Sequence, residues 1–293
     1  MTLEALKRKI DTAKDLQSVV KTMKAMAAVS IRQYEKAVAS LTEYNRTLEM
    51  GIQILLKNRP ESLAGMKPVP TNCLGIVVFG SDQGMCGQFN ERIAEFALQQ
   101  INSLESLPNN RIVLTVGTRI RDRLEAAGQR SERCFIVPGS IAGIAPIVQE
   151  TVLTLEEWRR ERQIDQILVF NNRPISSSIY SPHQQQIFPI NIPWLQQLQQ
   201  KKWTSRTLPT FTMSQERLIS AVFRQHFFVS LYRACCESLA SENASRLASM
   251  QIAEKNIQER LAELQAEFNH QRQTIITEEL LDIVSGFESV RQP

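Results

Sequence analysis

Proline and glycine are almost absent from the two ends of this sequence. Neither residue occurs between Ser214 and Gly286, and the stretch from Leu3 to Lys57 lacks proline and contains one glycine, Gly51. Because proline and glycine interrupt helices, each stretch is predicted to form one continuous helix. At about 1.5 Å per residue the two helices would be roughly 110 Å and 80 Å long, which is too long for an ordinary core helix.

Long hydrophobic runs are also missing. No apolar stretch approaches the eighteen or so residues of a membrane span, and the N-terminal residues lack the apolar core of a signal peptide. The chain is therefore expected to stay in the compartment where it is made. Its 293 residues, 43% hydrophobic and 22% charged, suit one α/β domain plus a coiled coil.

Residues that bind metals or form disulfides are few and scattered. The odd number of cysteines argues against a disulfide framework, and no CxxC or zinc spacing occurs among Cys73, Cys86, Cys134, Cys235 and Cys236. We interpret the cysteines as small core residues in a reducing compartment. No metal-ligand spacing surrounds the histidines, His183, His226 and His270. No cofactor, metal or catalytic residue is predicted.

The first helix carries a coiled-coil seam. Its apolar residues follow a spacing of three and four, namely Leu6, Ile10, Ala13, Val20, Ala27, Ile31, Tyr34, Val38, Leu41, Leu48, Ile52 and Leu55. Three polar residues interrupt the seam: Gln17, Lys24 and Asn45. They either set the register of the coiled coil or contact outer partners, and the sequence favours neither alternative.

The last helix repeats this pattern less regularly. Its seam residues are Leu239, Leu247, Met250, Ile257, Leu261, Leu264, Phe268 and Ile275. Two narrow apolar stripes are best buried against each other, and a compact domain between them makes the pair antiparallel. With Lys57 beside Ser214, Leu3 lies near Phe268, which leaves about twenty residues from Thr274 without an internal partner. A protruding apolar tip implies a second protein that covers it.

Charge differs between the two helices. The first is rich in lysine and arginine, whereas the last carries glutamates such as Glu254, Glu259, Glu263 and Glu267. This pattern indicates complementary charge across the seam. A nucleic-acid interface is disfavoured because the aromatic residues and short motifs that read bases are missing.

The middle of the chain alternates strands with helices. Strands are predicted at Cys73 to Phe79, Arg111 to Gly117, Cys134 to Val137 and Gln166 to Phe170. The fold class is therefore α/β, with a long antiparallel coiled coil of the terminal helices and a central Rossmann-like domain of three layers. The predicted domains are 1–57, 73–190 and 210–288. A turn-rich segment is expected at 58–70, and edge strands with a linker at 175–209.

One loop lies where phosphates often bind, between a strand and a helix. It runs from Gly80 to Gly87 and lacks both the GK[ST] ending of a Walker loop and the GxGxxG spacing of a dinucleotide site. We interpret its glycines as serving a tight turn. An enzyme that uses the central domain would have to bind its substrate here.

Four segments resemble the gamma subunit of F-type ATP synthases, in the order of that family: 6–28, 81–90, 231–250 and 268–286. The resemblance implies a non-catalytic rotor shaft inside a ring of three alpha and three beta subunits. It also implies contacts of the central domain with an epsilon subunit and a ring of membrane c subunits. Carried over by position, the candidate residues that contact the beta subunits or the bearing are Met23, Lys24, Arg246, Arg272, Gln273 and Thr277. The apolar overhang adds Leu280 and Leu281 as contacts of the bearing.

The resemblance further implies a role and a place. The shaft would couple rotation driven by protons or sodium ions to ATP synthesis on the beta subunits, without any cofactor of its own. It would lie on the cytoplasmic face of a bacterial plasma membrane, or of an equivalent energy-transducing membrane, as a peripheral subunit. The alternative is an antiparallel coiled-coil scaffold that organises partners without rotating.

Overall fold

The chain divides into two compact units. The computed structural model describes residues 2–58, 73–104, 110–176, 179–203, 207, 209 and 211–291. One unit, the coiled-coil unit, contains Met1–Ala27 and Leu247–Pro293, and the other, the sheet unit, contains Ala28–Arg246. The predicted turn-rich segment at 58–70 lies outside the described residues, apart from the last residue of the first helix.

The elements alternate as expected between two very long helices. The helices are α1 (Leu3–Asn58), α2 (Phe89–Ser103), α3 (Thr118–Ala126), α4 (Ile141–Glu161), α5 (Ile192–Gln200) and α6 (Gln215–Arg291). The strands are β1 (Leu74–Phe79), β2 (Arg111–Val116), β3 (Arg133–Phe135), β4 (Gln166–Ser176) and β5 (Ile179–Phe188).

In the coiled-coil unit the two long helices run antiparallel. Leu6 and Ile10 near the start of α1 form a buried cluster with Leu264, against which Leu261 and Phe268 also pack. Further along α1, Lys24 pairs with Glu254, which precedes Leu264 on α6, as an antiparallel pair requires. The predicted pairing of the chain ends, with the start of α1 near Phe268, is confirmed.

In the sheet unit the five strands are ordered β3-β2-β1-β4-β5. Strands β1, β2, β3 and β4 pair in parallel, and β5 pairs antiparallel with β4. The predicted mostly parallel sheet is confirmed, and β5 is an edge strand within the predicted range 175–209. Strand β4 continues six residues past the predicted end at Phe170. The apolar run ends there, but Asn171 and Asn172 are also buried, because their amides donate to Glu237 and to the Phe89 carbonyl oxygen.

Alternate residues of the parallel strands enter two separate cores. On one face, Val77, Leu114 and Val169 pack against α4 and the N-terminal half of α6, with Tyr34 of α1. On the other face, Ile76 and Val113, together with other strand residues, pack against α2 and α3. Helices therefore cover both faces, which is the three-layer arrangement that the strand and helix alternation predicts.

The segment after β5 contradicts the sequence-based expectation. Edge strands and a linker are predicted there, but Ile192–Gln200 forms the helix α5. Asn191 begins the helix by accepting a hydrogen bond from the backbone N–H of Trp194 at 3.2 Å. Leu195 and Leu198, one helical turn apart, are then buried against Ile52 of α1 and its neighbours. Gln196, Gln197 and Gln200 occupy the outer side of this short amphipathic helix, whereas the Gln199 amide donates to the Leu56 carbonyl oxygen of α1 at 3.3 Å.

Three of the five cysteines behave as core residues. All five are free thiols; Cys86, Cys235 and Cys236 are buried, whereas Cys73 and Cys134 are half-buried. Burial, together with the neighbouring Glu237 carboxylate, raises the pKa of Cys236 to about 12, so this thiol remains protonated at neutral pH. The interpretation as small core residues is confirmed for Cys86, Cys235 and Cys236. Across the described residues, no helix is long and apolar enough to cross a membrane.

Candidate partner-contact surfaces

The C-terminal part of α6 exposes a set of large apolar side chains. From Thr274 to Ser285 every side chain is exposed except that of Ile275, which is half-buried. The exposed fraction lies between 44% and 65% for Ile276, Leu280, Leu281, Ile283 and Val284. We call residues 274–285 the tip. Its exposure agrees with the predicted overhang, and a soluble monomer rarely keeps such a surface uncovered.

Several of the predicted contact residues lie together on or next to the tip. Gln273, Thr277, Leu280 and Val284 are spaced by four, three and four residues, which places them on one face of the helix. The Thr277 hydroxyl donates to the Gln273 carbonyl oxygen at 2.9 Å, so it stays within its own helix. Arg272 is exposed on a neighbouring face.

A second apolar row lies on the outer side of α1. Leu16, Val19 and Met26 are exposed, with fractions of 53%, 55% and 66%, and the predicted contact residue Met23 is half-buried between them. Their spacing of three, four and three residues puts all four on one helical face, which we call the α1 row. Sequence reasoning missed Leu16, Val19 and Met26, although a second row beside the seam was the available signal.

Lys24 contacts the other helix of the coiled-coil unit. Its ammonium Nζ lies 2.5 Å from the Glu254 carboxylate, and the two side chains are 35% and 15% exposed. Gln17 is half-buried, and the Asn45 amide of the sheet unit donates to Glu49 of its own helix at 2.8 Å. Of the three polar residues in the seam, Lys24 is therefore the one with a described ion pair between helices.

Arg246 is buried rather than presented at the surface. Its guanidinium donates to Glu242 at 2.6 Å, and these side chains are 10% and 7% exposed. Burial raises the pKa of the Glu242 carboxyl, and the nearby Arg246 cation opposes that shift. One residue earlier, the Ser245 hydroxyl donates to the backbone carbonyl of Cys86. Arg246 therefore belongs to the packing of the 80–87 loop within the sheet unit.

The 80–87 loop is closed by groups of the chain itself. The Asp82 carboxylate accepts hydrogen bonds from the backbone N–H of Thr118 at 2.7 Å and of Val137 at 2.6 Å. The first of these donors belongs to the N-terminus of α3, so the Asp82 carboxylate ties the loop to that helix. Gly117 has φ +119°, and a Cβ there would lie 2.8 Å from the Ser81 backbone. Within the loop, Gly87 has φ +56°, and a Cβ on Gly80 would overlap the Ile120 side chain, which supports the tight-turn interpretation of its glycines.

Comparisons with known proteins agree with this arrangement. A family model described as ATP synthase matches residues 2–290. The ATP synthase gamma chain of Granulibacter bethesdensis is 26% identical over 303 residues, covering 99% of each chain. The ATP synthase gamma chain of Magnetococcus marinus is 27% identical over 297 residues, again covering 99% of each chain.

Solved structures with the same fold come from mitochondrial ATP synthases. A chain of the Euglena gracilis OSCP/F1/c-ring structure in rotational state 3 gives a TM-score of 0.62 at 18% identity, covering 99% of this chain and 94% of that one. A chain of the central stalk and c-ring of Tetrahymena thermophila gives 0.59 at 20% identity, covering 80% and 99%. At these identities the likeness concerns the fold.

Proposed function

Since the chain belongs to the ATP synthase family, we propose that it is the gamma subunit of an F-type ATP synthase, the central shaft of the rotary motor. The curated relatives that match it over their full length are ATP synthase gamma chains. The observation that carries the proposal is the antiparallel helix pair that ends in an uncovered apolar tip. Such a tip requires a bearing made by other subunits.

The shaft is a non-catalytic subunit, and its work is mechanical. An asymmetric shaft contacts three chemically identical beta subunits differently, so the three differ in affinity for ADP, phosphate and ATP. Rotation driven by protons or sodium ions exchanges these states in turn. The 80–87 loop agrees with this division of labour, since the Asp82 carboxylate accepts hydrogen bonds from the backbone of Thr118 and Val137 within the chain.

We assign the contacts with the alpha and beta subunits to the tip and to the α1 row. Leu280 and Leu281 supply apolar area to the bearing, and Arg272, Gln273 and Thr277 supply polar groups beside it. Met23 contributes through the α1 row. For Lys24 and Arg246 we propose a positioning role, because each is engaged in an ion pair within the chain.

The sheet unit is the part that we assign to the epsilon subunit and the ring of c subunits. In the Tetrahymena structure the matching chain belongs to the central stalk, which is solved together with the c-ring. The subunit is therefore peripheral to a membrane-bound complex. We place that complex on the cytoplasmic face of a bacterial plasma membrane or on an equivalent energy-transducing membrane.

Co-expression with the alpha and beta subunits of the same organism tests the proposal. We expect one copy of the chain in a purified complex with three alpha and three beta subunits, and an ATPase turnover that changes when the chain is left out. A second test uses the chain ended after Gln273, which keeps the clustered seam residues and lacks the tip. It should enter the complex less well or couple poorly.

The alternative of a non-rotary scaffold predicts a different result. A scaffold would form a stable complex whose ATPase turnover is the same with the full chain and with the chain ended after Gln273. Failure to form the three-plus-three complex at all, with matched subunits, would overturn the shaft assignment.

A further inference from the structure

A cavity of about 520 Å³ lies within the sheet unit. Five elements contribute to its walls. Leu41, Asn45 and Glu49 come from α1, residues 183–187 from β5, and His226, Arg233 and Glu237 from α6. Arg173 of β4 and Trp194 of α5 also line it. A volume of this size suits a small molecule.

Two arginines of this cavity share one buried carboxylate. The Nε atoms of Arg233 and Arg173 lie 2.9 Å and 3.5 Å from the same oxygen of Glu237, which is 7% exposed. The Asn171 amide donates to the other Glu237 oxygen at 3.3 Å. Two guanidinium groups are thus adjacent, with a single negative charge between them. One positive charge remains at this side of the cavity, and the Glu49 carboxylate on the α1 wall balances it over the lining as a whole.

Glu49 is the second carboxylate of the lining. Its oxygen accepts a hydrogen bond from the Asn45 amide at 2.8 Å, on the wall formed by α1. Glu237, by contrast, lies on α6 and takes both guanidinium contacts. Removing the charge of Glu49 should therefore make the cavity more attractive to an anion without breaking the arginine pair.

Two imidazoles add polar groups without hydrogen-bond partners. The Nδ1 atoms of His183 and His226 are buried, and no hydrogen bond to them is found among the described residues. The His226 ring stacks on Trp194, with 5.1 Å between the ring centroids. Burial lowers the pKa of His183, and the positive charges of Arg173 and Arg233 lower it further. A bound anion would partly cancel that effect of the arginines.

We propose that this cavity binds a small anion with a phosphate or carboxylate group, held by the adjacent guanidinium groups of Arg173 and Arg233. Guanidinium groups bind both kinds of oxyanion through paired, charge-assisted hydrogen bonds. The apolar side chains of Ile187, Ile190 and Val229 also line the cavity, so there is room for an organic portion beside the charged group. The proposal is independent of the rotary function.

Titration of the full-length chain tests this site. Inorganic phosphate and malonate represent the two anion classes, and sodium chloride at equal ionic strength is the control for screening. We expect phosphate or malonate to raise the pKa of His183 in NMR titrations and to change the Trp194 fluorescence, whereas chloride does neither. Equal responses to all three salts would overturn the proposal, and a response to malonate without phosphate would assign the carboxylate class.

Variants distinguish a specific binding site from general electrostatic attraction of anions. The double variant Arg173→Gln/Arg233→Gln should bind about tenfold more weakly or not at all, and Glu49→Gln should bind several-fold more tightly. Arg224→Gln is the matched control, because this arginine lies on the same helix and pairs with Glu156 outside the cavity. Unchanged binding in the Arg173→Gln/Arg233→Gln protein, with wild-type circular dichroism, would sink the proposal. Should that protein misfold, Arg173→Lys takes its place. Loss of affinity in this variant supports the proposal, and unchanged affinity overturns it.

Discussion

The ion pair between Lys24 and Glu254 is the contact that most directly fixes the register of the coiled-coil unit. Both charges are partly exposed, so solvent screens their attraction. A double-mutant cycle with Lys24→Gln and Glu254→Gln should give a coupling of about 0.5 to 1 kcal/mol in urea unfolding. The control cycle at Arg8 and Glu4, which are 79% and 76% exposed, should give a smaller value. Equal couplings would refute a register-setting role.

His226 makes stability depend on pH in a defined direction. Burial lowers its pKa below the ordinary value of 6.5, so the folded chain favours the neutral ring. Its contribution is complete above pH 6.5, and it is lost as pH falls from 6.5 towards the lower folded value, because the unfolded chain then binds more protons. In thermal unfolding, His226→Phe should lose less stability than the wild type between pH 7.5 and 5.5. Parallel profiles for the two proteins would contradict this assignment.

Residue-level contacts were the least predictable part of the chain. The sequence indicates a tight turn at 80–87, and the structure agrees. The two backbone donors to Asp82 come from residues 36 and 55 positions later in the chain, so no local pattern could reveal them. The burial of Arg246 was equally hidden, because the adjacent Ser245 contacts Cys86 of a loop that is distant in sequence, whereas the pairing of Arg246 with Glu242 is local.

At the scale of single elements, the tip makes the sharpest prediction. The double change Leu280→Asp/Leu281→Asp should weaken assembly with the alpha and beta subunits, because it places charge on apolar area that a partner must bury. In the isolated chain both side chains are already exposed, so the free energy of unfolding should change by less than about 0.5 kcal/mol. Pull-down of the ring and urea unfolding measure the two effects.

The matched control lies on the same turn. Glu278→Gln/Glu279→Gln alters two exposed polar residues of the tip without adding charge to an apolar face. It should assemble nearly as well as the wild type. A loss of isolated-chain stability in Leu280→Asp/Leu281→Asp would show that the tip packs internally.

The sequence predicted helices and strands correctly where the apolar periodicity was long and regular. Strands β1 and β2 and both long helices lie within a few residues of their predicted bounds. The failure at α5 has a physical reason, since nine residues rich in glutamine offer too few apolar positions to separate a period of two from one of 3.6. Its helical state depends on Leu195 and Leu198 meeting α1, which is a tertiary contact.

For the whole molecule, local stability should differ strongly between the strands and the tip. Amides of β1, β2 and β4 lie in a sheet that is buried on both faces, whereas the tip has no packing partner among the described residues. Hydrogen exchange of the isolated chain should therefore be slow in these strands and fast at residues 274–285. In the assembled complex, protection of the tip should rise while that of β1 stays constant. Equal protection in free and assembled chains would contradict a bearing at the tip.

The architecture of the whole chain was largely predictable, and its cavity was not. Helix length, seam spacing and the alternation of strands with helices are properties of continuous segments, which a sequence displays directly. The cavity gathers residues from α1, β4, β5, α5 and α6, and its charge balance depends on which guanidinium groups meet Glu237. Such a constellation emerges with the tertiary packing.

The uncovered tip also affects the fate of copies that have not yet found a ring. A free chain exposes five large apolar side chains to water on one short helical segment, so surplus copies are prone to self-association. Their solubility then depends on the supply of partner subunits, and a cell that makes this chain in excess accumulates unassembled copies that tend to aggregate. The surface that lets the shaft turn inside its bearing thereby ties the useful amount of the protein to the number of rings.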